Sequence, residues 1–144
     1  SIAGSSLLSP SSEINFYRTL LANCNWKFYK RKDVFSNYKL IENFEIIVTT
    51  GSTLGYEALG RNKKVAFFSR SFSPYKKDWF YGWPDQRLSR GFFYSNSIVE
   101  NEINRVLNNL RKAKHFEWKS SLLKEKNRYM HFNFGNIKLK DIVS

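Results

Sequence analysis

The feature that most constrains the fold is an apolar, β-branched run that ends in a glycine-containing turn. Residues 44–49 are apolar except for one glutamate and one threonine, and a Gly-Ser-Thr turn begins at Gly51. Such a run is typical of a parallel strand that is buried on both faces. A helix is predicted over 52–59, with Ser52 as its N-cap and Gly60 as the residue after its end.

Strands and helices alternate along the chain from residue 12 to residue 113. Three helices are predicted over 12–23, 52–59 and 97–113, the last with Ser97 as its cap. A further short helix is predicted to be capped by Asp33 or Ser36 and to end at residue 41. The predicted strands are 26–29, 44–49, 64–69 and 92–94, and further helical segments fill 116–129 and 136–143. The alternation predicts an α/β fold, a Rossmann-like three-layer sandwich with a mainly parallel sheet and additional C-terminal helices. Such sheets bind ligands at the carboxyl ends of their strands.

The length of 144 residues is enough for one domain but short for an enzyme that holds two substrates. We therefore expect a linker or frayed start over 1–10 and a single domain over 11–144, which forms one lobe of a larger two-lobe protein. Residues 70–90 contain prolines and clustered aromatics without a regular period, so they are predicted to form a long loop. Its aromatic residues either stack on a ligand or cover the sheet edge; they are Trp79, Phe80, Tyr81 and Trp83.

Composition narrows the class of partner. The net charge of +12 predicts anionic partners, namely nucleotide phosphates, nucleic acid or an anionic membrane surface. No run is long and apolar enough to cross a bilayer. The chain has a single cysteine, Cys24, which fits a protein of the reducing cytoplasm. Cys24 is expected to pack as a small apolar side chain. His115 and His131 are isolated from other ligand residues, so no metal site is expected.

The turn after residue 49 carries the most specific chemistry. A helix that begins there presents unpaired backbone amides and the positive end of its dipole, which together favour a phosphate. Ser52 and Thr53 add hydroxyl groups, while Gly51 and Gly55 leave the backbone open to close approach. The spacing matches neither a Walker A loop nor the dinucleotide fingerprint. The alternative is that Ser52 only caps the helix and the glycines only form a turn.

Glu57 is the second candidate in this segment. It follows Ser52 by five residues and Thr53 by four, which is too late for a capping box. A carboxylate one turn inside a phosphate-binding helix can accept hydrogen bonds from ribose hydroxyl groups. The alternatives are a solvated acid or a partner of Arg61, four residues further on.

The run from Val48 to Phe68 resembles the carboxy-terminal lobe of GT-B-fold glycosyltransferases, specifically O-antigen and capsule biosynthesis proteins. More loosely it is similar to the donor lobes of other GT-B enzymes and to UDP-sugar epimerases. The basic triplet 30–32, the Gly-Trp-Pro sequence at 82–84 and residues 129–136 agree with the resemblance in order. It therefore covers most of residues 12–143.

The resemblance implies the donor-binding lobe of a glycosyltransferase in surface polysaccharide biosynthesis. The nucleotide sugar, UDP- or CMP-linked, would lie in a cleft between this lobe and an amino-terminal acceptor lobe, with no cofactor and no metal. Ser52 and Thr53 would contact phosphate, Glu57 the ribose, and Arg31 and Lys32 the leaving phosphate. The candidate binding residues are Gly51, Ser52, Thr53, Leu54, Gly55, Glu57, Arg31 and Lys32. The resemblance names no catalytic residue in this chain, because the base usually comes from the other lobe, and this lobe alone would be inactive.

Two alternatives remain at this point. The first is a nucleotide-sugar epimerase or a non-catalytic binding lobe, although the acidic and histidine residues of epimerases are not found. The second is a nucleic-acid-binding domain, suggested by the basic charge and interleaved aromatics but without a nucleic-acid motif. We expect a cytoplasmic protein that docks on the inner face of the plasma membrane, with no specific nucleic acid partner.

Overall fold

The structure is a computed structural model that describes residues 1–4, 10–33, 35–50, 52–69 and 90–120. The chain forms two compact units, Ser1–Phe44 and Glu45–Ser144. The single domain expected over 11–144 stays a prediction. The elements are β1 (Ile2–Ala3), α1 (Pro10–Leu20), β2 (Phe28–Tyr29), α2 (Ser36–Ile41), β3 (Ile46–Thr49), α3 (Thr53–Gly60), β4 (Lys64–Phe68), β5 (Tyr94–Ser95) and α4 (Glu100–Lys112). All three described strand pairs are parallel. The mixed α/β class predicted from the sequence, consistent with a Rossmann-like fold, is confirmed.

The first unit contains a two-stranded parallel sheet in the order β1-β2. Strand β1 lies where the sequence predicted a linker, since Ile2 pairs with Phe28 and Ala3 with Tyr29. Helix α1 packs on β2 through Tyr17, whose ring centroid is 6.4 Å from that of Phe28. The two-residue strand β1 has no sequence period of its own, and it exists because β2 offers it a hydrogen-bonding edge.

Helix α2 is held by polar side chains at its start. The Asp33 carboxylate accepts hydrogen bonds from the Phe35 N–H (2.7 Å) and the Ser36 hydroxyl (3.1 Å). These bonds hold the pKa of Asp33 below its ordinary value. The predicted short helix ends at residue 41 as expected, but the N-cap residue is Phe35, with no side-chain cap hydrogen bond, and not Asp33 or Ser36.

The second unit contains a three-stranded parallel sheet in the order β3-β4-β5. Four consecutive residues of the middle strand β4, from Val65 to Phe68, are buried. Because successive side chains of a strand point to opposite faces, both faces of β4 must be covered. Helices α3 and α4 both pack against this strand.

Strand β3 is parallel as expected, but the prediction that it is fully buried is wrong. The side chain of Val48 is 57% exposed, whereas Thr49 contacts helix α3. Among the described strands β3 lies at the edge of its sheet, with a single neighbour in β4. An apolar sequence run therefore did not distinguish a central strand from an edge strand.

Two helix ends differ from the sequence prediction. Gly60 is the last residue of α3 rather than the residue after it, and Asn62 takes the left-handed conformation instead, with φ of 67°. Asparagine tolerates that conformation better than most residues. Ser97 does not cap α4, because its N–H donates to the Ser95 hydroxyl (3.1 Å) and the N-cap residue is Val99. Glu100 is accordingly the first helical residue and not the partner of a capping box.

A charged cluster that the sequence did not predict ties α4 to the turn before β5. Arg105 donates to both carboxylate oxygens of Glu102, the shortest contact being 2.8 Å. It also donates to the backbone carbonyls of Gly91 (2.8 Å) and Tyr94 (3.3 Å). These hydrogen bonds from Arg105, with a further one from the Ser95 hydroxyl, lower the pKa of Glu102 from 4.5 to about 2.

The Glu102–Arg105 ion pair should make the stability of the fold depend on pH in the acid range. A carboxyl group with a lower pKa in the folded chain stabilises the fold above its unfolded pKa, and that stabilisation is lost as pH falls from about 4.5 towards about 2. We expect Glu102→Gln to be less stable than wild type at neutral pH and to lose less stability across this interval. Urea unfolding measured at several pH values tests this.

The matched control for Glu102→Gln is Glu100→Gln, at an exposed glutamate in the same helical turn. This control should reduce stability at neutral pH far less than Glu102→Gln does. If wild type and Glu102→Gln lost stability in parallel on acidification, Glu102 would not be the group responsible.

Candidate functional site

The candidate site lies where β3 ends and α3 begins. Thr49 ends β3, Thr53 begins α3, and Ser52 between them is the N-cap residue with extended backbone angles (φ −73°, ψ 135°). Thr50, Ser52 and Thr53 are all exposed. The N-terminus of α3 thus lies at the carboxyl end of a parallel strand, as the sequence predicted.

The hydrogen bonds of the turn account for most of its backbone amides. The Ser52 N–H donates to the Thr49 hydroxyl oxygen (3.2 Å), and the Ser52 hydroxyl oxygen accepts from the Leu54 N–H (3.3 Å). The Gly55 N–H donates to the Ser52 carbonyl (3.0 Å). Within the described residues, no acceptor is found for the Thr53 N–H. Ser52 is therefore a genuine cap, and Thr53, whose N–H the Ser52 side chain does not engage, is an exposed residue at the helix start.

Glu57 lies on the same side of α3 as Thr53, because residues four apart are neighbours on a helix surface. The two residues are separated by about 6 Å along the helix axis. Glu57 is partly exposed, and no ion pair between its carboxylate and Arg61 is found in the part of the chain that the structure describes. The alternative in which Glu57 is simply the salt-bridge partner of Arg61 thus has no support from the structure.

Gly55 has a packing role. It is buried, and a Cβ atom added to it would lie 2.5 Å from the Thr49 Cγ2 atom and 3.3 Å from a ring carbon of Phe67. The glycine therefore permits close contact between α3 and strands β3 and β4. The predicted role of Gly55 in phosphate binding stays a prediction.

The close contact between α3 and β4 also brings two aromatic rings together. Tyr56 packs against Phe67 of β4, with ring centroids 5.0 Å apart, and burial raises the pKa of Tyr56. Leu54 is half-buried, so it contributes its backbone rather than an open side chain. One face of α3 is thus fixed to the sheet, while Ser52, Thr53 and Glu57 lie on accessible positions.

The remaining candidates belong to the other unit or fall outside the described residues. Arg31 and Lys32 belong to the unit Ser1–Phe44, where the Arg31 Nε donates to the Asp33 carbonyl (3.3 Å) and the Lys32 N–H to the Ser36 hydroxyl (3.1 Å). Gly51, His131 and residues 70–89 of the loop predicted over 70–90 are outside the described residues. Cys24 is exposed, so it is not the apolar filler expected from the sequence.

Within the residues that the structure describes, no three His, Cys, Asp or Glu side chains are arranged to hold a metal ion. Over the same ranges, no helix has the length and apolar character needed to span a membrane.

Comparison with known proteins gives the family. No curated protein and no solved structure is significantly similar to the chain. A family model described as "putative O-antigen biosynthesis protein" matches residues 1–144, which is the whole chain. The chain therefore belongs to this family of O-antigen biosynthesis proteins.

Proposed function

We propose that the chain binds the nucleotide-sugar donor of a glycosyltransferase that acts in the cytoplasm during surface polysaccharide synthesis. The observation that carries the proposal is the exposed start of α3 at the carboxyl end of β3, with Glu57 one turn further along the same side. The family description supplies the polysaccharide context. In this proposal the chain is the donor-binding lobe of a GT-B enzyme, its ligand is a nucleotide sugar, and a separate lobe binds the acceptor.

Each residue of the site has a distinct role in the proposal. The Thr53 amide and hydroxyl, with the Ser52 hydroxyl, bind a phosphate of the donor, which the helix dipole favours. The Leu54 amide is held only by a 3.3 Å bond to Ser52, so phosphate can compete for it. Glu57 accepts hydrogen bonds from the ribose hydroxyl groups.

The chemistry of glycosyl transfer explains why such a site is useful. When the sugar leaves, negative charge develops on the phosphate oxygen of the nucleotide. Fixed amide dipoles stabilise that charge without reorganising during the reaction. A protein with this site alone would bind the donor, and the base that activates the acceptor would come from the other lobe.

The proposal is tested by calorimetric titration with UDP, CMP and GDP. We expect a uridine or cytidine nucleotide to bind, and Glu57→Ala to weaken its binding by at least tenfold, because a charged acceptor contributes about 1.5–3 kcal/mol. The 2′-deoxy form of the same nucleotide should bind more weakly to wild type. It should also be much less sensitive to Glu57→Ala.

Glu100→Ala is the matched control, since it removes an exposed acid from the first turn of another helix. It should leave nucleotide affinity at the wild-type value. Circular dichroism must show that Glu57→Ala is folded. Absence of binding by all three nucleotides, or equal affinity of the folded Glu57→Ala variant, would contradict the proposal.

A further inference from the structure

A second surface, at the other end of α3, combines an exposed aromatic ring with clustered positive charge. Phe116 is 77% exposed, although Trp118, two residues later, is buried. Residues 115–120 are helical, and positions two apart on a helix point in widely different directions. One face of this segment is therefore fixed to the core, and the other presents Phe116 to solvent.

Two contacts hold the segment in place. The Trp118 Nε1–H donates to the Asn62 carbonyl (2.9 Å), and the Trp118 ring packs edge-on against Phe93 at 5.9 Å. Asn62 lies in the turn that follows α3, so the segment lies beside the C-terminal end of that helix. Ser52 caps the opposite end, about 12 Å away along the helix axis.

Positive charge surrounds Phe116. The exposed basic residues of this stretch are Arg111, Lys112, Lys114 and Lys119, and His115 is exposed beside them. The one acid between residues 111 and 120 is Glu117, whose carboxylate accepts a hydrogen bond from the Lys114 N–H (2.9 Å). Lys119 follows Phe116 by three residues and so lies on the same side of the helix.

We propose that this Phe116 surface, formed by Arg111, Lys112, Lys114, Phe116 and Lys119, docks on an anionic lipid bilayer. Basic side chains are attracted to the negative surface of such a membrane, and an exposed aromatic side chain inserts at the boundary between head groups and acyl chains. Because Ser52 lies at the other end of α3, docking leaves the candidate nucleotide site clear of the bilayer. The inference is independent of whether that site binds a nucleotide.

The test is co-sedimentation of the chain with vesicles of phosphatidylcholine alone and of phosphatidylcholine with phosphatidylglycerol. We expect binding to the anionic vesicles only, and weaker binding at high salt. The triple variant Lys112→Gln, Lys114→Gln, Lys119→Gln should weaken it on the order of 100-fold, from about fivefold per basic residue. Phe116→Ser should weaken it about tenfold, while Phe116→Leu should retain it.

Matched controls come from the other unit. Arg18→Gln, Lys30→Gln, Lys39→Gln removes the same charge from exposed positions, and Phe16→Ser replaces a phenylalanine that is 61% exposed. Both controls should bind anionic vesicles much better than their Phe116-surface counterparts. Equal losses would show that net charge or general apolarity, and not this surface, drives binding.

A nucleic acid partner is the outcome that would overturn the proposal. An aromatic ring among cations can stack on bases, and leucine cannot replace it in that role. If the chain bound single-stranded DNA but not anionic vesicles, and Phe116→Leu abolished that binding, the surface would be a nucleic-acid site. Binding to neutral and anionic vesicles alike would also contradict the proposal.

Discussion

Replacing Phe93 by alanine should lower the free energy of unfolding by about 3–5 kcal/mol, the usual cost of removing a buried aromatic side chain. The side chain of Phe93 is fully buried and contacts the rings of Phe67, Tyr94 and Trp118 at centroid distances of 6.3, 5.6 and 5.9 Å. It therefore joins β4, β5 and the segment that carries Phe116. Urea unfolding followed by circular dichroism measures the loss.

The neighbouring residue provides the control for Phe93. Phe92 is 43% exposed, so Phe92→Ala should cost well under half as much. Phe93→Ala should also weaken the vesicle binding of the Phe116 surface, because Trp118 loses its edge-on contact with the Phe93 ring. Similar losses of stability for the two alanine variants would show that Phe93 is not at the centre of the core.

Replacing Gly55 by valine should cost about 2–3 kcal/mol, because the new Cβ atom would overlap the Thr49 Cγ2 atom at 2.5 Å. Strand β3 and helix α3 would have to separate, since neither a β-branched threonine nor the backbone can move aside easily. The same movement should displace Ser52 and reduce nucleotide binding. Urea unfolding and calorimetric titration of Gly55→Val measure the two losses.

The double variant Gly55→Val, Thr49→Ser tests the cause. Serine keeps the hydroxyl that accepts the Ser52 N–H but lacks the methyl group that would overlap. Part of the lost stability should return, with a coupling energy above about 0.5 kcal/mol. Purely additive effects would mean that the cost of valine arises elsewhere, for example at Phe67.

Much of the second unit could be predicted from local sequence. The β-branched run before Ser52, the serine cap and the helix that follows depend on residues close together in the chain, and their order was confirmed.

In the first unit, helix α1 begins at Pro10, two residues before the expected start, because proline is well tolerated in the first turn of a helix. Such shifts of helix ends leave the topology unchanged.

The features that sequence reasoning missed depend on contacts between distant residues. The Arg105 guanidinium binds carbonyls 11 and 14 residues away, and the Trp118 indole binds Asn62 across 56 residues. No local period identifies such partners. The packing role of Gly55 was missed for the same reason, since only the positions of Thr49 and Phe67 reveal it. The exposed Phe116 did have a local signal, an aromatic residue within a basic stretch.

The most direct test of the donor-site proposal is an amide proton–nitrogen correlation spectrum recorded during titration with UDP and CMP. The proposal requires the Thr53 and Leu54 resonances to shift with one nucleotide, while the Glu100 and Glu102 resonances at the start of α4 stay in place. Saturating shifts confined to other parts of the chain, with Thr53 and Leu54 unmoved, would contradict it.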